Sequence, residues 1–296
     1  MDMFGGISEG AVRFTAFAGI FLAMALLELM IPKRDLGAPK SRRWFTNIAI
    51  AGIDSLIVRL MALFVVPLVA VAAALYAEQA QLGLFNWLDW PVWLEIVLAV
   101  IFLDLAIYGQ HVASHKFAIL WRLHKVHHSD VDFDVTTAIR FHPIEIALSM
   151  LYKIVLVLIF GAAAVAVVLF EIILNGCAMF NHANIALPHW LDHGLRQVLV
   201  TPDMHRVHHS IIHRETDSNY GFNLSIWDRI FGTYRAAPKH GHQGMTIGLP
   251  GFQSEAPTGL TWSLSLPFRG AARAGNDDAG EEAPEVEKVQ RWPDGQ

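Results

Sequence analysis

Four long runs of apolar residues constrain this chain more than any other feature of its sequence. They cover about residues 11–31, 48–76, 91–108 and 144–179. A helix that crosses the hydrocarbon core of a bilayer needs about 20 mostly apolar residues, and each run reaches or approaches that length. Only 17% of the residues are charged, whereas soluble domains carry about 25%. The sequence therefore predicts an all-α, integral membrane helical protein.

The basic residues between the first two runs predict the orientation. The 32–46 loop carries Lys33, Arg34, Lys40, Arg42 and Arg43. The 77–91 loop carries only acidic charges, Glu78 and Asp89. Because lysine and arginine collect in cytoplasmic loops, we expect the 32–46 loop in the cytoplasm, in the inner membrane of a bacterium. The first run lacks the basic start and cleavage site of a signal peptide, so it is predicted to be a retained span.

The fourth run, 144–179, allows two foldings. Its length of about 36 residues exceeds one span but is short for two spans and a turn. One long tilted helix would place the chain before and after it on opposite sides of the membrane. A bend at Gly161, which is followed by three alanines, would instead give a re-entrant hairpin. We favour the hairpin, and thus about three spans plus a re-entrant helical hairpin, because it keeps all histidine-rich segments in one cytoplasmic cap.

Histidines are the candidate functional residues, and the chain contains 15 of them. Most fall into three clusters whose spacing places the side chains on one face of a helix. The clusters are His111-x-x-x-His115, His124-x-x-His127-His128 and His205-x-x-His208-His209, and His182 is a ninth candidate. One such motif is weak, but three on the same predicted side of the membrane indicate a metal centre.

The number of histidines indicates two metal ions, because one tetrahedral zinc takes about four ligands. The single cysteine, Cys177, excludes a CxxC site. Imidazole suits zinc, copper, iron and nickel, so the spacing leaves the metal open. No basic footprint for nucleic acid is present, since the chain carries a net charge of −5.

A set of motifs around these clusters resembles the fatty acid hydroxylase and sterol desaturase superfamily. The motifs are Asp104-x-x-x-Tyr108-x-x-His111, Trp121-Arg122-Leu123-His124-Lys125-Val126-His127-His128-Ser129, Arg140-Phe141-His142-Pro143-x-Glu145, Phe180-Asn181-His182-x-Asn184, Thr201-Pro202-x-x-His205-Arg206-Val207-His208-His209-Ser210, Asp217-x-Asn219-Tyr220-Gly221 and Trp227-Asp228-x-x-Phe231-Gly232-Thr233-Tyr234. They extend from about residue 104 to residue 234.

This resemblance implies a membrane-bound non-haem di-iron oxygenase that uses dioxygen to hydroxylate or desaturate a lipid, such as a fatty acyl chain or a sterol. Its two irons would be held by the eight clustered histidines and His182, and zinc could replace iron on isolation. Some relatives have a further ligand four residues before His182, where this chain has Ala178. The HPGG motif of a fused cytochrome b5 domain is absent, so a separate ferredoxin- or cytochrome b5-type donor is expected.

Six further residues are predicted to lie around the metal ligands and hold them. They are Asp104, His142, Asn184, Asp217, Asn219 and Asp228. We expect Asp104 to accept a hydrogen bond from a ligand histidine, because such acceptors orient metal-bound imidazoles. For Asp217, Asn219 and Asp228, capping of turns is an equally good interpretation.

These features divide the chain into three parts. Residues 1–110 are predicted to form transmembrane helices, and 111–270 a di-metal catalytic region that includes the 144–179 hairpin. Residues 271–296 are predicted to be a disordered acidic tail. A zinc-bound, non-catalytic membrane protein of the same fold remains an alternative. A metal transporter is less consistent, because it would place its ligands at the midplane of the spans.

Overall fold

The computed structural model describes residue 6 and residues 8–65 and 69–269. Helices are the main regular structure in these ranges, and the only extended pairings there are three isolated bridges. Five helices of the described residues are long and apolar enough to cross a membrane. They are α1 (Glu9–Met30), α2 (Lys40–Leu60), α4 (Val92–Lys116), α6 (Pro143–Phe160) and α7 (Ala164–Asn181). The predicted all-α membrane fold is confirmed.

The second apolar run does not form the single helix that the sequence predicted over 48–76. Helix α2 begins eight residues earlier, at Lys40, and passes into a π-helical turn at Met61–Val65. A separate helix, α3 (Ala70–Gln79), follows. Pro67 lies between the two helices in the sequence, and proline cannot donate a helical hydrogen bond. The run therefore contributes most of one long helix and a separate short helix, half of whose residues are buried.

The fourth run folds as a helical hairpin that bends at Gly161, as predicted. Gly161 ends α6 in the left-handed conformation (φ 67°), and its N–H donates to the Val157 carbonyl. Glycine adopts this conformation without the steric cost that a side chain would add. Helix α7 then returns antiparallel, so the N-terminus of α6 and the C-terminus of α7 lie at the same end of the bundle. We call this end the histidine end.

Charged side chains tie α1 to the hairpin inside the apolar bundle. Glu171 on α7 accepts a hydrogen bond from Lys153 Nζ on α6 at 2.6 Å and another from the Arg13 guanidinium on α1. The Glu171 side chain is 7% exposed. A buried charge is tolerated when it is paired, and here the pairing joins three helices.

The segments that cover the histidine end are short helices and turns. Helix α5 (Ala118–His128) follows α4 directly, and α8 to α13 lie between residues 189 and 265. They are α8 (His189–Leu195), α9 (Pro202–His208), α10 (His213–Thr216), α11 (Ile226–Ile230), α12 (Gly241–Gly244) and α13 (Leu260–Ser265). The tail predicted for 271–296 lies outside the described residues.

A buried ionic network joins α2 to the segment that follows α5. Arg43 donates to both carboxylate oxygens of Asp130, at 2.7 and 2.9 Å, and to Asp134 at 2.8 Å. Arg140 donates to Asn47 on α2 and to the Val126 carbonyl on α5. Arg43, Asp134 and Arg140 have no exposed surface. The network fixes α5, and with it the second histidine cluster, against the membrane helices.

Candidate metal centre

All nine predicted histidines meet at the histidine end of the bundle. They come from the last turns of α4, from α5, from the residue after α7 and from α9 with the residue after it. They separate into two groups. The five-histidine group contains His111, His115, His124, His128 and His208, and the four-histidine group contains His127, His182, His205 and His209.

Each group offers one ring nitrogen per residue, and these atoms lie within 4.8 Å of one another. In the four-histidine group, His182 Nε2 is 3.2 Å from His127 Nε2 and 3.1 Å from His205 Nε2. In the five-histidine group, the Nε2 atoms of His111 and His124 are 3.1 Å apart. Imidazole nitrogens that converge in this way fit a divalent metal ion that prefers nitrogen ligands.

Burial keeps six of these nine imidazoles in the neutral form that can ligate. It lowers the pKa of His208 to about 3 and that of His182 to about 4. Burial also places the pKa values of His127, His128, His205 and His209 well below the usual 6.5. A metal ligand must be deprotonated, so these side chains are ready to bind at neutral pH.

In five of the imidazoles, Nδ1, the nitrogen that points away from the other rings of its group, lies within hydrogen-bond distance of an acceptor. Three of these acceptors are backbone carbonyls and two are carboxylates. The pairs are His111 with the Tyr220 carbonyl (2.7 Å), His208 with the Ser218 carbonyl (2.7 Å), His182 with the Ala178 carbonyl (2.8 Å), His124 with Glu145 (2.7 Å) and His115 with Asp217 (3.3 Å). An acceptor in this position fixes the tautomer and the ring orientation of a metal ligand.

Other ring nitrogens have no hydrogen-bond partner although they are buried. His128 and His209 lack one on both nitrogens, and His208 lacks one on Nε2, the nitrogen opposite its carbonyl contact. A buried polar atom without a partner is costly. Metal coordination would satisfy these lone pairs, so the residues present fit a metal centre.

Comparison with known proteins agrees with this arrangement. The profile of the fatty acid hydroxylase family matches residues 96–233, a segment that contains all nine histidines. Residues 96–233 belong to the fatty acid hydroxylase family. The resemblance inferred from the sequence motifs is therefore confirmed.

Several curated proteins are also similar to this chain. An ornithine lipid hydroxylase from Rhizobium tropici is 28% identical over 183 residues, which are 62% of this chain and 53% of the relative. Human alkylglycerol monooxygenase is 30% identical over 236 residues, 79% of this chain and 50% of the relative. A Delta(7)-sterol 5(6)-desaturase from Aspergillus fumigatus is 29% identical over 153 residues, 51% of this chain and 41% of the relative. The chain spans about half the length of the first two relatives, and no solved structure matches it.

Of the six residues predicted to hold the ligands, Asp217 contacts one directly. Its Oδ1 faces His115 Nδ1, and its Oδ2 accepts from Lys116 Nζ at 2.6 Å. Two others hydrogen-bond the backbone of segments that carry or contact the ligand histidines. Asp228 accepts from the backbone N–H groups of Tyr220 and Gly221, and Asn219 donates to the Met204 carbonyl on α9.

The predicted role of Asp104 is wrong. Its Oδ2 accepts from Trp227 Nε1 at 2.8 Å and from the Leu224 backbone N–H at 3.2 Å, and from no histidine. Seven residues separate it from His111, and at ~1.5 Å per residue this places it about 10 Å below that ligand along α4. Asp104 therefore anchors α11 and the residues just before it to the membrane helix α4.

His142 and Asn184 also have structural partners rather than ligand contacts. His142 Nδ1 caps α6 by accepting from the Ile144 N–H at 3.2 Å. Asn184 exchanges hydrogen bonds with the backbone of Arg34.

Sequence reasoning missed Glu145, which contacts a predicted ligand more closely than any of the six. It stands in the first turn of α6, three residues after the His142 cap, and its Oε1 lies 2.7 Å from His124 Nδ1. Its position in the His142-Pro143-x-Glu145 motif was the available signal. The carbonyl acceptors carried no such signal, since every residue type has a backbone carbonyl.

Proposed function

We propose that the chain is a membrane-bound di-iron oxygenase that hydroxylates a lipid with dioxygen. The observation that carries the proposal is the pair of converging histidine groups at one end of an apolar helical bundle. The named activities of the relatives, lipid hydroxylation, alkylglycerol monooxygenation and sterol desaturation, support the reaction class.

In this proposal the five-histidine and four-histidine groups each hold one iron. The two ions would together supply the electrons that reduce dioxygen and the oxidant that attacks a C–H bond. Burial keeps His127, His128, His182, His205, His208 and His209 neutral. The protein also orients five imidazoles of the centre through fixed acceptors and encloses them in buried side chains. No side chain is needed as a separate acid or base.

Apolar contacts on the membrane side of the centre support a lipid substrate. Phe222 lies against His111, with ring centroids 5.0 Å apart, and packs on the apolar cluster formed by Leu103, Ile107 and Phe170. An alkyl chain or a sterol could therefore approach the histidines from the bilayer without leaving apolar surroundings. We propose that a separate ferredoxin- or cytochrome b5-type protein supplies the electrons.

We further propose that the histidine end faces the cytoplasm, in an inner membrane. The basic segment 32–46, a loop that continues into the first turns of α2, supports this orientation through the preference of basic residues for the cytoplasmic side. Lys33 in that loop binds Asp203 on α9 at 2.7 Å, so the loop and the histidine end share one side.

The test is turnover of the purified protein with iron, an electron donor and a panel of lipids under isotopically heavy dioxygen. A hydroxylase leaves one heavy oxygen atom in the product. A desaturase, the second candidate because of the sterol desaturase relatives, removes two hydrogens and leaves no heavy atom. A zinc-bound, non-catalytic protein changes no lipid under these conditions, and that result would contradict the proposal.

A further inference from the structure

The two histidine groups differ in how firmly the surrounding protein holds their rings. In the five-histidine group, four of the five imidazoles have an acceptor on Nδ1, as described above. In the four-histidine group, only His182 has one, and the outward nitrogens of His127, His205 and His209 have no hydrogen-bond partner. Both groups consist of buried histidines, but the protein supplies hydrogen-bond acceptors to most rings of the five-histidine group and to one ring of the four-histidine group.

The carboxylate acceptors increase this difference. Glu145 and Asp217 both contact the five-histidine group, and no carboxylate hydrogen-bonds a ring of the four-histidine group among the described residues. A carboxylate on the outer nitrogen makes the imidazole a more basic ligand and fixes its direction, and loss of such a partner typically costs ~10–100-fold in metal affinity or activity.

The four-histidine group is positioned mainly by stacking. His127 lies flat on Phe141, with ring centroids 4.4 Å apart and planes 7° from parallel, and His182 stacks on Phe133 at 5.4 Å. Stacking restrains the plane of a ring but does not select which nitrogen carries the proton. Rings held in this way are less well prepared for a metal than rings with a fixed tautomer.

We infer that the two metal positions are unequal, and that Glu145 and Asp217 are positioning residues that make the five-histidine group the tighter one. The inference rests on the proposed two-metal function and deepens it. The four-histidine group then releases and exchanges its metal more readily.

The test measures metal release rather than activity. The purified protein is loaded with Zn²⁺ and challenged with a chelator, and the retained metal is followed over time. We expect two phases of about one ion each. Glu145→Gln should accelerate the slow phase about 10–100-fold and leave the fast phase within about threefold. Asp217→Asn should act in the same direction.

Three variants control the interpretation. Glu145→Asp keeps the carboxylate, so its slow phase should be close to that of the unmodified protein and not accelerated as in Glu145→Gln. Glu255→Gln alters a half-exposed carboxylate that pairs with Arg42 and touches no histidine, and it should leave both phases unchanged. His209→Ala should remove the fast phase and retain the slow one. Loss of the slow phase in this last variant would overturn the assignment of the phases.

Other outcomes separate this inference from the proposed function. A single release phase in the unmodified protein, or equal acceleration of both phases by Glu145→Gln, would overturn the inference alone. Two unequal phases in a protein that never oxidises a lipid would overturn only the proposed oxygenase. A protein that holds no Zn²⁺ would overturn the inference together with the two-metal centre.

Discussion

Gly83 and Gly161 pack backbone against backbone at the end of the bundle opposite the histidines. A Cβ atom placed on Gly83 would lie 2.2 Å from the Gly161 nitrogen, and one placed on Gly161 would lie 2.5 Å from the Leu82 carbonyl oxygen. Both residues have positive φ angles, 91° and 67°. The contact joins the loop after α3 to the bend of the α6–α7 hairpin.

Alanine at either of these glycines should destabilise the protein. The added Cβ collides with backbone, and the left-handed conformation costs of order 1–3 kcal/mol for a residue with a side chain. Thermal unfolding of the detergent-solubilised protein measures the effect. Gly19→Ala on α1 is the control, because Gly19 is helical and has open space around it. Equal melting temperatures for Gly83→Ala and Gly19→Ala would contradict the close packing.

Replacement of Arg43 by methionine should cost about 3–5 kcal/mol, the usual effect of removing one partner of a buried ion pair. Burial raises the pKa of Asp130, but Arg43 lowers it to about 2, so the carboxylate stays ionised and would be left unpaired. The free energy of unfolding is the measurement. The neighbouring Arg42 is half-exposed and pairs with Glu255 at the surface, so Arg42→Met should cost less than about 1 kcal/mol. Similar losses for both variants would argue against the network.

Metal analysis of the purified protein should find about two ions per chain. His208→Ala removes a ligand of the five-histidine group and His127→Ala one of the four-histidine group, so each should lower the metal content and abolish turnover. His240 is exposed and belongs to neither group, so His240→Ala should retain both ions. A stoichiometry of one that survives the His208→Ala change would exclude the two-metal centre.

The metal-free protein should lose stability as the pH falls below about 6.5. Burial lowers the pKa of His182 to about 4 and that of His208 to about 3, so the unfolded chain binds more protons than the folded one below the usual value of 6.5. Between pH 7.5 and 5.5 this costs roughly 1 kcal/mol per buried histidine. Chemical denaturation at the two pH values is the measurement. His208→Gln should weaken the dependence of the free energy of unfolding on pH, whereas the change His240→Gln at an exposed position should not. A free energy of unfolding that is equal at the two pH values would contradict the burial of these histidines.

Labelling of single cysteines should place the exposed residues Ser41 and His240 on one side of the membrane and Gln81 and Asp89 on the other. In a Cys177→Ser background, each position is changed to cysteine and treated with an impermeant reagent in intact cells and in inverted vesicles. The proposed orientation requires labelling of the first pair only from the cytoplasmic side. Labelling of Ser41 and His240 from opposite sides would rule out the hairpin topology.

Much of the fold was predictable because the length of an apolar run and the position of a glycine within it determine local structure directly. The hairpin bend at Gly161 follows from one flexible residue inside a run too long for one span. The break in the second run was missed because its apolar composition continues through Pro67, whose effect on helical hydrogen bonding is the better signal.

The candidate site was predictable in its residue types but not in its supporting contacts. Histidine spacing on α4, α5 and α9 brought the candidate ligands to common helix faces. The acceptors behind the rings depend on how distant segments meet: the Tyr220 carbonyl contacts His111, and the Tyr220 backbone N–H donates to Asp228, which helps to hold that segment in place. Asp104 shows the limit of helical spacing, which gives the face of a residue but not its depth relative to a partner.

The chain order of the two histidine groups has a consequence for biosynthesis. Four members of the five-histidine group lie between His111 and His128, so a nascent chain presents most of that group as soon as α5 has emerged. The four-histidine group has only His127 at that stage and gains its other three members after the hairpin has been completed, from His182 to His209. One metal position can thus begin to assemble while the ribosome is still making the hairpin, and the other must wait until α7 has returned.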